Sequence, residues 1–347
     1  MTRDHRIAIL HPHGGMGDLL LSYPVIAAFK QAYPESEIIY ITPPGLEDVI
    51  RANSNVHEVF SLKLGHKAAF NLAKYLKKKN VEIACALWST FRIALILKLA
   101  AIPIRIGQGD RFLYSHWFTH PVSVRSTKGD TGSHWVECLL DYPRALGLNP
   151  SDKSIHVKIE DTFKLGTNNN LNVSSSFPRP YIVIHSGKGE NVLERGWPLD
   201  YFAELADRLT QRGFQIVFTG SNREIKLVEN ILAKMKTKAI SMAGKTDFQQ
   251  LASLLKSAHC IVCPDSGPMH LAAAVGTPVV ALFAMKSDFP NRWAPWGVPH
   301  KIIRPKTFPC SDQCTKESCR NFLCFQALNI DETERAVLDL IKTAVQS

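Results

Sequence analysis

Short, almost continuously apolar runs separated by amphipathic stretches dominate this chain, and the alternation occurs twice. In the first half the runs are RIAIL (6–10), EIIYIT (37–42), HEVFSL (57–62), EIACAL (82–87) and IRIG (104–107). Segments 19–32 and 67–79 between them carry helical periodicity. In the second half the runs are YIVIH (181–185), QIVFTG (215–220), AISMAG (239–244), CIVCP (260–264) and PVVALF (278–283), with LDYFAELADRLTQRG and DFQQLASLLKSA as helices. A strand apolar on both faces is stable only in a sheet covered on both sides, and strands joined through helices run parallel. The pattern therefore predicts an α/β protein with two successive doubly wound domains, 1–168 and 178–328. The polar stretch LGTNNNLNVSSSFPRP (165–180) loses apolar periodicity and reads as their connector, and 331–347 reads as a last helix.

At 347 residues the chain exceeds what one core usually supports, which agrees with two domains. The net charge of +10 is shared evenly, +5 in residues 1–168 and +5 in 169–347. No polybasic tail is present, so nucleic acid is not an expected partner; the excess suits anionic ligands or an acidic membrane surface. MTRDHRIAIL runs straight into a strand, unlike a secretory leader, and IALILKLAAI is short and broken by Lys98. A cytoplasmic location is expected. Lys74, Lys77, Lys78 and Lys79 in KYLKKKN, with FRIALILKLAAIPIRIG, could rest on anionic headgroups, or could be a solvated helix end. Four of eight cysteines cluster at Cys310, Cys314, Cys319 and Cys324, but without paired C-x-x-C spacing, and no bound metal is expected.

Ligands of parallel sheets sit at the carboxyl ends of strands, and with two domains the expected pocket is the cleft between them. The first such loop, GGMGD (14–18), fails as a dinucleotide fingerprint because Leu20 stands at the third glycine position. The second strand ends in ITPPG without a ribose-binding acid, and no Gly-Lys-Ser/Thr follows to make a P-loop. Asp18 then has two readings: an N-cap of the following helix, or a general base facing the cleft. His11 and His13 are rival bases, and His13, Gly15, Met16 and Gly17 form the surrounding turn.

In HSGKGENVLERGWP, the amides of Ser186, Gly187 and Gly189 and the charges of Lys188 and Arg195 suit a diphosphate, the other reading being a solvated basic loop. Gly220 and Glu224 close the next strand, where a carboxylate can accept hydrogen bonds from ribose hydroxyls or simply face solvent at a helix start. The run CPDSGPMH places Asp265, Ser266 and Gly267 at a strand end and His270 one turn into a helix, whose first amides form an anion site.

At GGMGDLLLSYPVIAAFKQAYP, HSGKGENVLERGWPLDYFAELADRL, FTGSNRE and DSGPMHLAAAVGTPVVALF, in this order, the chain resembles glycosyltransferase family 9, the bacterial lipopolysaccharide heptosyltransferases. The resemblance implies a GT-B architecture of two Rossmann-like domains, acceptor on the first and donor on the second, with the terminal helix packed back on the first. It implies an inverting, metal-independent transfer from a nucleotide sugar, typically ADP-heptose, to a glycolipid or oligosaccharide acceptor, without a separate cofactor. Carried over by motif, Asp18 is the general base, Glu224 holds the ribose, and the backbone at Thr246 meets adenine. Asp265 meets the sugar, and the Ser266–Gly267 turn with His270 belongs to the donor site. Arg195 stands where family members often have Lys. Competing readings are a nucleotide-sugar epimerase on the same architecture and a non-catalytic glycan-binding protein.

Overall fold

The computed structural model describes residues 5–63, 66–159, 180–187, 196–310, 319 and 322–346. The chain divides into two units, 1–158 and 159–347. Residues 160–179, which hold all of the expected connector but Pro180, lie outside the described residues.

In the first unit six strands form one parallel sheet: β1 (Arg6–Leu10), β2 (Glu37–Thr42), β3 (Glu58–Ser61), β4 (Ile83–Ala86), β5 (Ile104–Gln108) and β6 (His120–Val122), in the order β3-β2-β1-β4-β5-β6. The second unit repeats the plan with β7 (Tyr181–His185), β8 (Gln215–Thr219), β9 (Ile240–Ser241), β10 (Cys260–Pro264), β11 (Val279–Leu282) and β12 (His300–Ile303), in the order β12-β11-β10-β7-β8-β9. Both are doubly wound Rossmann-like sheets, the two-domain GT-B type of fold. Winding reverses between β1 and β4 in one unit and between β7 and β10 in the other. The central strands β1, β4, β7 and β10 are buried almost throughout, as their unbroken apolar runs require.

The sequence reading omitted the edge strands β6 and β12. Their sequences, HPV and HKII, mix polar residues and proline with few apolar ones, because an edge strand has one neighbour and half its surface exposed. AISMAG shrinks to a two-residue strand. The helix expected over 19–32 is two, Met16–Leu21 and Tyr23–Ala32. Pro24 cannot donate to the preceding turn, and the Ser22 hydroxyl donates to the Leu19 carbonyl at 2.6 Å and meets the Tyr40 hydroxyl at 2.7 Å.

One expectation is corrected. The terminal helix, Ile330–Gln346, packs in the second unit, against helix Leu199–Gln211 and strands β10, β11 and β12. Ala336, Val337 and Leu340 are buried in that unit's core, and full burial stabilises by roughly 1.5–3 kcal/mol for each large side chain. Arg208 fixes the register, bonding Asp331 at 2.5 Å and Glu334 at 3.3 Å, and Arg212 reaches Glu334 at 3.3 Å. The apolar stripe of this helix matches the second sheet's flank, which it covers.

Candidate functional site

In each unit the chemistry-bearing residues gather at the carboxyl ends of the strands beside the winding reversal. In the first unit β1 runs into His11, which is buried and whose Nδ1 lies 2.7 Å from the His13 carbonyl oxygen. Burial pushes the His11 ring below its ordinary pKa, against the opposing pull of the Asp18 charge. The chain then turns sharply at Gly14, whose φ of +95° lies in the left-handed region. A Cβ there would stand 2.7 Å from Asp18 Oδ2, so glycine is required twice over, by conformation and by space.

Helix Met16–Leu21 begins at Gly15, whose N–H donates to Asp18 Oδ2 at 2.7 Å. Asp18 is therefore not the N-cap that the sequence suggested: Gly15 holds that position, and Asp18, the third residue of the helix, reaches back to it with one carboxylate oxygen. Asp18 is half-buried, while His13, Gly14 and Gly15 are exposed, so the turn opens to solvent with the carboxylate beneath it. Gly17 is buried in the helix, and Met16 is half-buried.

Trp88, which the sequence reading missed, follows β4 across the reversal. Its ring centroid is 5.4 Å from that of His13 and 6.3 Å from that of His11, and it is 45% exposed. A half-exposed indole beside a polar turn is a surface for stacking a sugar ring or another apolar face. The rule that ligands sit at the reversal points to this loop, LWST, once the strand order is known.

In the second unit β7 delivers Ser186, which is buried with its hydroxyl lacking a hydrogen-bond partner among the described residues. Gly187 follows, and the backbone there passes so close to Glu224 that a Cβ would lie 1.6 Å from Oε1. Glu224 is 5% exposed, and its Oε2 accepts from the Ser221 N–H at 2.6 Å in a reciprocal cap after β8. At Gly220 a Cβ would lie 3.0 Å from Glu224 Cβ. After β9, the Gly244 N–H donates to the Gly220 carbonyl at 2.8 Å. Glu224 is therefore gripped by the ends of β7 and β8, and the β9 loop is tied to the same point. Thr246, half-buried, ends that loop just before Asp247, which caps helix Phe248–Lys256. His185 lies under this cluster with Nδ1 3.3 Å from Thr219 Oγ1. Burial holds its pKa below the ordinary value, and the Glu224 charge pulls the other way.

On the other side of β7, β10 ends in Asp265, and His270 Nε2 stands 3.9 Å from Asp265 Oδ1. Ser266 begins helix Gly267–Ala274 but does not cap it; its hydroxyl turns back to the Pro264 carbonyl at 3.0 Å. The start of that helix, with no side-chain cap, faces the strand end where an anion would be held.

The sequence thus located two local constellations. Gly15, Gly17, Asp18, His11 and His13 form one. Ser186, Gly187, Gly220, Glu224 and Thr246, with Asp265, Ser266, Gly267 and His270 across β7, form the other. Lys188, Gly189, Arg195 and Cys314 lie outside the described residues. Cys310, Cys319 and Cys324 are free thiols, and burial, with Cys310 and Cys319 adding to it, pushes Cys324 up to about 11. Among the described residues no group of three or more His, Cys, Asp or Glu is placed to hold a metal ion, and no helix is long and apolar enough to cross a membrane.

Known proteins agree with this architecture. Residues 69–322 match the model of glycosyltransferase family 9 (heptosyltransferase), a segment that begins after the Asp18 turn. Lipopolysaccharide heptosyltransferase 3 of Escherichia coli (strain K12) is 29% identical over 302 residues, spanning 81% of this chain and 82% of the relative. The glycosyl transferase family 9 structure from Veillonella parvula DSM 2008 superposes with a TM-score of 0.79 at 21% identity, over 99% of each chain. The ADP-heptose lps heptosyltransferase II structure of E. coli gives a TM-score of 0.76 at 22% identity, over 98% of this chain and 99% of the other. A family model covering well over half of the sequence, on a fold that matches from end to end, shows that the chain belongs to glycosyltransferase family 9, the heptosyltransferases.

Proposed function

We propose that this glycosyltransferase moves a heptose from ADP-heptose onto a lipopolysaccharide-core or related glycan acceptor, with inversion at the anomeric carbon and without a metal ion. The observation that carries the donor half is the grip of Gly187 and Gly220 on Glu224. A buried carboxylate, held by one oxygen at a strand end, is pre-organised to accept hydrogen bonds from a ribose diol with the other. The backbone at Thr246 borders the adenine. The buried Ser186 hydroxyl, without a partner among the described residues, and the start of helix Gly267–Ala274, without a side-chain cap, supply donors to the diphosphate. Lys188 and Arg195 add charge from the same loop in sequence, and the planar Arg195 fork suits two phosphate oxygens at once. Asp265, beside His270, meets the sugar.

Asp18 is the base on the acceptor side. The acceptor hydroxyl oxygen forms a bond to the anomeric carbon as the bond from that carbon to the diphosphate oxygen breaks. The hydroxyl proton passes to Asp18, and ADP departs with the bonding electron pair. Oδ2 is held by the Gly15 N–H, which leaves Oδ1 to take the proton. A β-configured donor then gives an α-linked product. The acceptor is lipid-linked, and the enzyme works peripherally at the cytoplasmic face of the inner membrane.

Thermal denaturation with ADP, GDP and UDP tests the donor half. ADP alone should stabilise the second unit, and equal shifts from all three would contradict an adenine site next to Thr246.

A further inference from the structure

We infer that the face built by helices His66–Lys78 and Phe91–Leu99, with the segment that leads into Trp117, docks the enzyme on the anionic phospholipid headgroups of a bilayer. The charge of the first half is not spread along it. Residues 63–113 contain ten Lys or Arg and two Asp or Glu, a net +8, whereas residues 1–62 are net −3 and 114–168 are neutral. The same segment carries Phe70, Trp88, Phe91, Leu99, Phe112 and Leu113, six of the nine exposed large apolar side chains among the described residues. Phe112 is 98% exposed, Leu113 69% and Phe70 67%. Positive charge and exposed apolar surface coincide here, the pairing that an anionic membrane interface attracts.

Helical spacing explains the coincidence. Phe70, Lys74 and Lys77 recur at i, i+4 and i+7, on one face of their helix, and all are exposed. Phe70 and Phe91, with Leu95 and Leu99 beyond them, line an open groove of about 410 Å³ between the two helices, and Arg92 stands at its edge. Trp117 packs on the second helix, 5.2 Å from the Phe91 ring, with Lys98 Nζ 4.9 Å from its own ring centroid. Lys79 is paired with Glu58 at 2.6 Å, but Lys74, Lys77, Lys78 and Arg92 make no ion pair among the described residues. Arg92 in the groove lining, with exposed lysines on the helix that carries Phe70, fits headgroup phosphates above and acyl carbon below. Trp88 links this face to the Asp18 turn through the His13 ring, so docking would bring that turn to the plane where a lipid-linked acceptor is presented.

The inference deepens the transferase reading by naming the surface that meets the lipid, but its test requires no turnover. The full chain is sedimented with phosphatidylcholine vesicles, with and without phosphatidylglycerol, at low and high salt. Binding should require the anionic lipid and weaken as salt shortens the screening length from about 10 Å at 0.1 M to about 3 Å at 1 M. Lys74→Gln/Lys77→Gln/Lys78→Gln should weaken it roughly 100-fold, and Phe70→Ser or Phe112→Ser about tenfold each. Lys226→Gln/Lys256→Gln/Lys301→Gln in the second unit should leave it unchanged. Turnover on a water-soluble, deacylated acceptor should be the same for every variant, which separates a failed docking surface from a failed transferase. Equal binding to neutral vesicles, no binding, or equal loss from both lysine triples would overturn the inference. So would a dimer in sedimentation equilibrium that Phe70→Ser dissociates, because a second copy would then cover the groove.

Discussion

Gly187→Ala gives a perturbation whose size follows from the geometry. The new methyl would sit 1.6 Å from Glu224 Oε1 and 2.3 Å from its Cδ. Restoring ordinary contact of about 3.4 Å requires the carboxylate or the backbone to move by nearly 2 Å. Glu224 is buried and its Oε2 holds the Ser221 N–H at 2.6 Å, so movement sacrifices a charge-assisted hydrogen bond worth roughly 1.5–3 kcal/mol. For a unit of this size each kcal/mol is about 2–4 °C in melting temperature, so the second unit should melt roughly 3–12 °C lower. The assay is a double-mutant cycle read by thermal denaturation with and without ADP. Glu224→Ala alone should cost a comparable amount by deleting the same bond, and Gly187→Ala added to it should cost almost nothing, because the clash has gone. The stabilisation by ADP should disappear in each of the three variants. Additive costs, or a Gly187→Ala protein that still gains full stability from ADP, would refute the claim that Gly187 exists to let Glu224 approach.

Asp18→Asn keeps an oxygen for the Gly15 N–H but removes the proposed base, so kcat should fall about 10²–10⁴-fold while stability changes by a few tenths of a kcal/mol. Asp18→Ala should lose the same rate and, in addition, about 0.5–2 kcal/mol of stability; an active Asn variant would return Asp18 to a purely capping role. His11 and His185 are buried with pKa values below 6.5, so the unfolded chain binds protons before the native one does. Their stability is complete above pH 6.5 and is lost as the pH falls from there towards the folded values, at up to about 1.4 kcal/mol per pH unit for each ring. Thermal melts from pH 7.5 to 5 should show this slope, and His185→Gln should flatten the share of the second unit; an unchanged slope would contradict its burial as a neutral ring. Leu340→Ala should cost the second unit about 2–5 kcal/mol and leave amide exchange in the first unit untouched, as the observed seat of the terminal helix requires.

The interior of the fold was legible because burial on both faces imposes a pattern on sequence. RIAIL, YIVIH and CIVCP have no partner but a covered parallel sheet. HPV and HKII did not announce themselves, since an edge strand obeys neither continuous apolarity nor clean alternation. The amphipathic stripe of the terminal helix was legible, but not which sheet it covers, because a stripe specifies an apolar neighbour without naming one. At the candidate site the glycines and carboxylates stood out as residue types at strand ends. Their couplings did not: that Gly187 makes room for a side chain 37 positions later, or that Trp88 lies beside His13, depends on strand order, which local patterns do not encode.

The central claim is that Asp18 drives transfer of a heptose from an ADP-linked donor to a separate glycan hydroxyl. Its most direct test is mass spectrometry, with NMR of the new linkage, after incubation with ADP-heptose and a core-oligosaccharide acceptor. The account predicts one added heptose per acceptor, release of one ADP, an α-linkage from the β-donor, and loss of all three in Asp18→Asn. Conversion of ADP-heptose to an isomer without acceptor, or a product that retains the donor configuration, would contradict it.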